Sequence, residues 1–285
     1  MKKIRIFGLL LVTAGTLILM SFITEKNESL TLKDIEASVV KINDKLFAGK
    51  YEVSNSLYAE FLHNLKVKNQ TELYSIALID SLNWRDKLAY NEPLVEFYFR
   101  HQAYKNYPLV NVSYEGANLF CQWLTEEYNS NPKRKYKKVL FRLPTQLEWE
   151  NAAKGGLNLC DYAWGNKLFE NDHYMCNFRR YGDENIRYDS INKTMIVESG
   201  GDRMGMVGTL NDAADITAPV NSYWPNKFGL FNVCGNVAEM VSEKGISRGG
   251  GWKNAGGDVR IESKGHYSKS ATDVGFRYFM EIIEI

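Results

Sequence analysis

The sequence predicts a loop-rich globular domain, and three observations predict it. Helix-start signals crowd the first half of the chain, long periodic segments become scarce after Ala153, and 17 tyrosines and 22 glycines accompany that loss of period. A hydrophobic content of 45% with 13% aromatics excludes disorder for most of the chain, and 285 residues can bury at least one large core. Lys+Arg number 35 against 34 Asp+Glu, a net charge of +1, which gives no concentrated positive field for nucleic acid. With only 6 prolines there is no Pro-rich stalk.

In chain order, Lys2, Lys3 and Arg5 precede an uncharged apolar run from Ile6 to Thr24. Cations before such a run fit either a signal peptide or a membrane anchor, facing the domain away from the cytoplasm. The run exceeds the usual signal length and no small-x-small cleavage site follows Ile23, which favours an uncleaved anchor. The first cysteine is Cys121, so no lipid-accepting cysteine follows the run. Residues 25–38 read as a tether and 39–285 as one globular unit, exported and either periplasmic or membrane-tethered.

Lys50-Tyr51-Glu52-Val53 alternates like a short strand, and Ser54 is placed to cap a helix from Asn55, with Val53 and Tyr58 as its hydrophobic staple. Residues from about 64 to 107 show no dominant period. Ser113 caps a second helix, whose Ala117, Phe120, Cys121 and Leu124 form one apolar stripe. Asn129 to Lys138 is a polar, basic turn, read as a solvated connection. Thr145 and Glu148 form a capping box, a structural signal. Beyond Ala153, irregular aromatic sequence needs something to hold its loops, and disulfides or metal ions are the common means. Of the four cysteines, Cys160 and Cys176 lie in loop-like sequence and are the one pair suited to a bridge.

A series of short motifs runs through this frame. They are Tyr51-Glu52-Val53-Ser54-Asn55, Pro108-Leu109-Val110-Asn111-Val112-Ser113, Arg142-Leu143-Pro144-Thr145 with Glu148-Trp149-Glu150, and Trp164-Gly165-Asn166. Thr217-Ala218-Pro219-Val220, Phe228-Gly229-Leu230, Gly235-Asn236-Val237 with Glu239, Arg248-Gly249-Gly250 and Gly275-Phe276-Arg277 complete it. In this order they resemble the formylglycine-generating enzyme (sulfatase-modifying factor) family, from about Val39 to Met280. The resemblance implies an α+β, C-type-lectin-like formylglycine-generating-enzyme fold, loop-rich with little regular secondary structure.

It also implies structural calcium. Calcium takes about six to eight oxygens from carboxylates, amides and backbone carbonyls of tight loops. The family's first site falls on the Asn232 side chain, the Glu239 carboxylate and the carbonyls of Val233, Gly235 and Val237. A second falls on Asn177 and the Phe178 carbonyl with Asp212 and the Ala214 carbonyl. Against this stands the reading of Asn, Gly and Asp as ordinary turn formers.

The family's oxidation of cysteine to formylglycine needs two thiols after Arg-Gly-Gly, as soft ligands for copper(I). Those positions fall on Asn254 and Val259, and no cysteine follows Cys234 anywhere in the chain. Ala238-Glu239-Met240 also replaces the family's Trp-Glu-Trp. No copper and no formylglycine synthesis are expected. The four histidines, His63, His101, His173 and His266, lack zinc or iron spacing, and no nucleophile elbow or phosphate loop is present.

Cysteine-lacking exported relatives include pyoverdine-maturation proteins and components of gliding and type IX secretion machineries, which Tyr104-Lys105-Asn106-Tyr107-Pro108 and Tyr114-Glu115-Gly116-Ala117 resemble. The expected function is a calcium-stabilised binding or structural component of a cell-envelope assembly, with a protein or small-ligand partner. The alternative is a periplasmic tailoring enzyme acting through Asn254, Asp258 and Arg260.

Overall fold

A computed structural model describes residues 30–85, 91–171, 173–179, 185–189, 192–198 and 216–285. The apolar N-terminal run lies outside them. Among the described residues no helix is long and apolar enough to cross a membrane.

Thr31 opens α1 (Leu32–Ala37) with a capping box to Asp34. β1 (Val39–Lys41) and β2 (Leu46–Gly49) form an antiparallel hairpin. Ser54 Oγ accepts the Leu57 amide and starts α2 (Asn55–Val67) where the cap signal places it. The strand expected over Lys50–Val53 is instead irregular chain that bends at Lys50 and Tyr51 just past β2, making single bonds from Lys50 N to Ser38 O and Val53 N to Phe276 O. The stretch without a dominant period holds α3 (Thr71–Ala77), α4 (Glu92–Phe97) and two 3-10 turns, Ser81–Trp84 and Gln102–Tyr104. Each is too short to display an amphipathic period.

Ser113 caps α5 (Tyr114–Ser130), which buries Ala117, Phe120, Cys121 and Leu124 as the stripe predicts. The basic turn leads to β3 (Lys138–Arg142), and the Thr145–Glu148 capping box opens α6 (Gln146–Lys154). Gly155 ends α6 in the left-handed region, at φ 57°. Short strands follow: β4 (Phe169–Glu170), β5 (His173–Tyr174), β6 (Asn185–Asp189), β7 (Thr194–Glu198), β8 (Ala238–Met240), β9 (Ile246–Arg248), β10 (Lys264–His266), β11 (Val274–Phe276) and β12 (Phe279–Glu284).

Two four-stranded sheets organise the molecule. The first runs β1-β2-β12-β3, all antiparallel, so the chain's last strand pairs with one of its first. The second runs β10-β9-β8-β11, with β8 and β11 parallel. Edge strand β3 is closed by α5. Asn129 bonds both the amide and the carbonyl of Val139, at 3.0 and 2.9 Å, and Thr125 does the same for Phe141, at 2.9 and 3.4 Å. Residues four apart on a helix rise about 6 Å, close to the span of two strand residues, so the pair stands in for a neighbouring strand.

The core falls into neighbouring clusters. One packs α2 and α5 against both sheets through Tyr58, Phe61, Phe120 and Trp123, with Phe141 from the first sheet and Phe276 from the second. Another surrounds α6 and the later loops, with Trp149, Tyr162, Phe178, Cys234 and Val259. The interior is aromatic, and the loops beyond α6 lie on it.

Candidate functional site

The site begins with the loop from Phe231 to Val237. Asn232, Gly235 and Asn236 all have left-handed backbone, at φ 50°, 81° and 65°. Gly235 is required there, because a Cβ would strike the Asn177 carbonyl and crowd Cys176. The loop therefore turns tightly and directs its amide side chains inward.

Beneath it lies Glu52, which the chain delivers just ahead of α2 and which is 2% exposed. Its carboxylate accepts from Asn232 Nδ2 at 3.1 Å, from Asn236 Nδ2 at 2.9 and 3.1 Å, and from Val237 N at 3.3 Å. Asn236 is the hub. It also donates to Ala218 O and accepts from Ala218 N and Asn177 Nδ2, tying three segments together.

Glu239, on β8, forms the second half of the cluster. Its carboxylate takes Trp149 Nε1 at 2.7 Å and Arg277 at 2.6, 3.0 and 3.1 Å, with both ion-pair side chains buried. Arg277 also donates to Gly49 O and Phe231 O. Arg277 thus pairs with Glu239 alone, while Glu52 is held by amides and feels the guanidinium only through its field. Burial, then the charge of Glu239, pushes the Glu52 carboxyl up to about 8, against the pull of Arg277. With both acids ionised the cluster carries an excess negative charge, which a proton or a cation would neutralise.

The expected first calcium set is tested on this geometry. Asn232 Oδ1 is buried and has no hydrogen-bond partner, an acceptor of the kind a hard cation takes. The carboxylate of Glu239 is less open, because an ion there would share it with Arg277 and Trp149. Val233, Gly235 and Val237 lie in the same loop, between Asn232 and Glu239. Among the described residues no three His, Cys, Asp or Glu side chains come together as a metal group, so an ion here would rely on amide and backbone oxygens.

Of the second set, Asn177 and Phe178 are described and Asp212 and Ala214 lie outside the described residues. Asn177 accepts Asn236 N on its carbonyl and donates through Nδ2 to Ile216 O, while Phe178 is buried in the core around α6. Sequence reasoning missed Glu52 and Asn236. Alternation over Lys50–Val53 puts Glu52 on the polar face of a strand, so no local signal marked this carboxylate as buried.

The loop expected to carry the two thiols holds no convergent chemistry. Asn254 turns inward, its Oδ1 accepting Gly251 N at 2.8 Å and its carbonyl accepting Arg179 N, so its side chain closes the loop. Val259 is fully buried among the side chains around α6. Asp258 is exposed, and Arg260 lies 4.0 Å from Glu262. None of the four cysteines is in a disulfide, so Cys160 and Cys176 do not form the expected bridge. Tyr104 and Tyr107 pack around buried Tyr98, whose hydroxyl binds Pro108 O and Thr217, so that motif serves the scaffold.

The family model for the sulfatase-modifying factor enzyme 1-like domain matches residues 2–282. The chain belongs to this family. It is similar to the inactive C-alpha-formylglycine-generating enzyme 2 of Bos taurus, 25% identical over 281 residues, covering 86% of this chain and 80% of that protein. It is 33% identical to the formylglycine-generating enzyme of Thermomonospora curvata over 138 residues, 48% of this chain but 34% of that enzyme's length. The chain therefore spans about a third of that relative. Among solved structures, PvdO from Pseudomonas aeruginosa matches with a TM-score of 0.52 at 18% identity, covering 83% of this chain and 80% of that one. CarF matches with a TM-score of 0.51, also at 18% identity, covering 86% and 93%. These likenesses establish the mixed helix-and-strand formylglycine-generating-enzyme-like fold.

Proposed function

We propose that this member of the family binds or builds instead of oxidising, as an exported component of a cell-envelope assembly of the gliding or type IX secretion kind. The observation that carries the reading is the fate of the two thiol positions. One holds an asparagine that closes its own loop, and the other a fully buried valine. A buried aliphatic side chain neither ligates copper(I) nor exchanges with a substrate sulfur. The similarity to a relative named as inactive supports the same direction. The N-terminal cations and apolar run support an uncleaved membrane anchor with the domain on the far side. A structural calcium at Asn232–Glu239 belongs to the proposal, supported by the unpartnered Asn232 Oδ1 and the excess acid of the cluster.

The test is to incubate the protein with copper(I), oxygen and a cysteine-containing sulfatase peptide, and to follow the peptide by mass spectrometry. An unchanged thiol and no retained copper are expected. Formylglycine product would overturn the reading. Loss of the protein from the envelope fraction of its own cells would separately remove the assembly role.

A further inference from the structure

We propose that the loop joining α5 to β3, residues 131–138, is a docking surface for the anionic phospholipid headgroups of the membrane that holds the N-terminal segment. The proposal rests on the anchor reading above, and its test separates the two.

The loop carries Lys133, Arg134, Lys135, Lys137 and Lys138 and no acidic residue. Arg134 is spent on shape: its Nε donates to Lys137 O at 2.8 Å and its Nη1 to Asn131 O at 2.9 Å. The four lysines are exposed. Among the described residues only Lys137 of these four makes an ion pair, with Glu284 at 2.5 Å, and both of those side chains are more than half exposed. Glu284 also feels Lys138, and a further acid at the loop is Glu36, whose carboxylate accepts from the Lys135 amide and the Tyr128 hydroxyl, each at 3.2 Å. The loop thus carries exposed ammonium groups, that of Lys135 lying over the Tyr136 ring at 5.2 Å, and these are point charges suited to phosphate oxygens.

Its position gives the lysines a partner. Glu36 lies on α1, so the basic loop is bonded to the first helix of the described chain. Six helical residues span about 9 Å, which places the loop beside the point where the chain enters the domain. Only Glu25–Ser29 lies between the apolar run and Leu30, and five residues reach at most about 17 Å. A tether that short holds the entry face near the headgroups, within roughly two Debye lengths at physiological salt. The chain as a whole is nearly neutral at +1, so the attraction is local and would orient the domain. An acidic protein could meet the same charges, but the tether brings lipid to this face first.

The full chain is reconstituted into phosphatidylcholine vesicles with or without phosphatidylglycerol, and lysine acylation is read by mass spectrometry. Flotation under alkaline extraction reports the anchor independently. A lysine held at an anionic surface gains about 1 kcal/mol, or about fivefold. Acylation of Lys133, Lys135 and Lys138 should therefore slow about fivefold with phosphatidylglycerol and recover in high salt, while exposed Lys227 is unchanged. In the variant K133Q/K135Q/K138Q, Lys137 should react equally in both vesicles. Equal reactivity of the parent's lysines with flotation intact overturns docking and leaves the anchor standing. Protection by anionic vesicles with no flotation on neutral ones supports the loop and removes the anchor. Protection by soluble poly-glutamate and not by vesicles overturns the proposal in favour of an acidic protein.

Discussion

Replacing Arg277 by methionine should bring the domain close to unfolding. Arg277 and Glu239 have side-chain exposures of 1% and 0%, and the guanidinium also serves two backbone carbonyls, at Gly49 and Phe231. The substitution leaves a buried carboxylate with Trp149 as its remaining donor, and breaking such a pair costs about 3–5 kcal/mol. Each carbonyl stripped of its donor adds about 1–3 kcal/mol, with overlap between the terms. The total is comparable to the roughly 5–15 kcal/mol that holds a typical domain together. Urea denaturation of Arg277→Met, Glu239→Leu and the double variant closes a thermodynamic cycle. The double variant should be more stable than Arg277→Met alone, because it no longer buries an unpaired charge. A cost for Arg277→Met below about 1 kcal/mol would refute the reasoning, since no buried pair of this kind is broken so cheaply.

Two other variants, Asn232→Ala and Glu239→Gln, weigh the calcium proposal. An ion at a hundredfold its dissociation constant stabilises by about 2.7 kcal/mol. The parent should gain that order of stability over a chelated sample, and Asn232→Ala should lose the gain. If Glu239→Gln responds to calcium as the parent does, the carboxylate is not a ligand. If the parent does not respond, the ion is lost from the proposal and the Glu52 and Arg277 contacts hold the loop without it.

Further outcomes are expected. Glu52, with its carboxyl raised to about 8, binds a proton in the folded state that the unfolded chain has released above its ordinary 4.5. Its contribution is fully present below pH 4.5 and is lost as pH rises through 8. In chelator, stability should thus fall by up to about 1.4 kcal/mol per pH unit across that window, and Glu52→Gln should flatten the curve; a parent curve rising there would contradict the assignment. The double variant Thr125→Val/Asn129→Leu uncaps β3 and should assemble further than the parent through β-pairing, read by size-exclusion chromatography; an unchanged elution with parental stability would show the caps to be idle. A thiol reagent should label Cys160 in the native protein and spare Cys121, Cys176 and Cys234, which are buried, with the Cys234 thiol pushed up to about 12 by burial. Fast labelling of all four would contradict the packing around α6.

Legibility followed the range of the interactions involved. Ser54, Ser113 and the Thr145–Glu148 box were readable because a cap and its amide lie three residues apart, so sequence contains the whole interaction. The motif order was readable too, and the α+β fold followed from it. The cluster under the Asn232–Glu239 loop was not, because Glu52 meets Asn232 and Asn236 across 180 and 184 residues and Arg277 meets Glu239 across 38. No local pattern encodes those pairings. The strand expected at Lys50–Val53 failed for a related reason: its alternation was real, but its hydrogen bonds go singly to Ser38, Phe276 and the Leu109 amide instead of to one ladder.

The thiol positions show what such long-range closure does to function. Position 259 could carry a reactive sulfur only where the wall around α6 leaves it open. Here Trp149, whose indole holds Glu239, also lines the core cluster that encloses Val259. Restoring a thiol by Val259→Cys would bury it in that core, and burial raises a thiol's pKa and keeps it neutral. Asn254→Cys would in turn remove the side chain that bonds the Gly251 amide and closes the loop. The two substitutions together should therefore lower stability without producing formylglycine or binding copper. Recovery of either property would mean that the loop reopens readily and that the scaffold around α6 is not what closed this site.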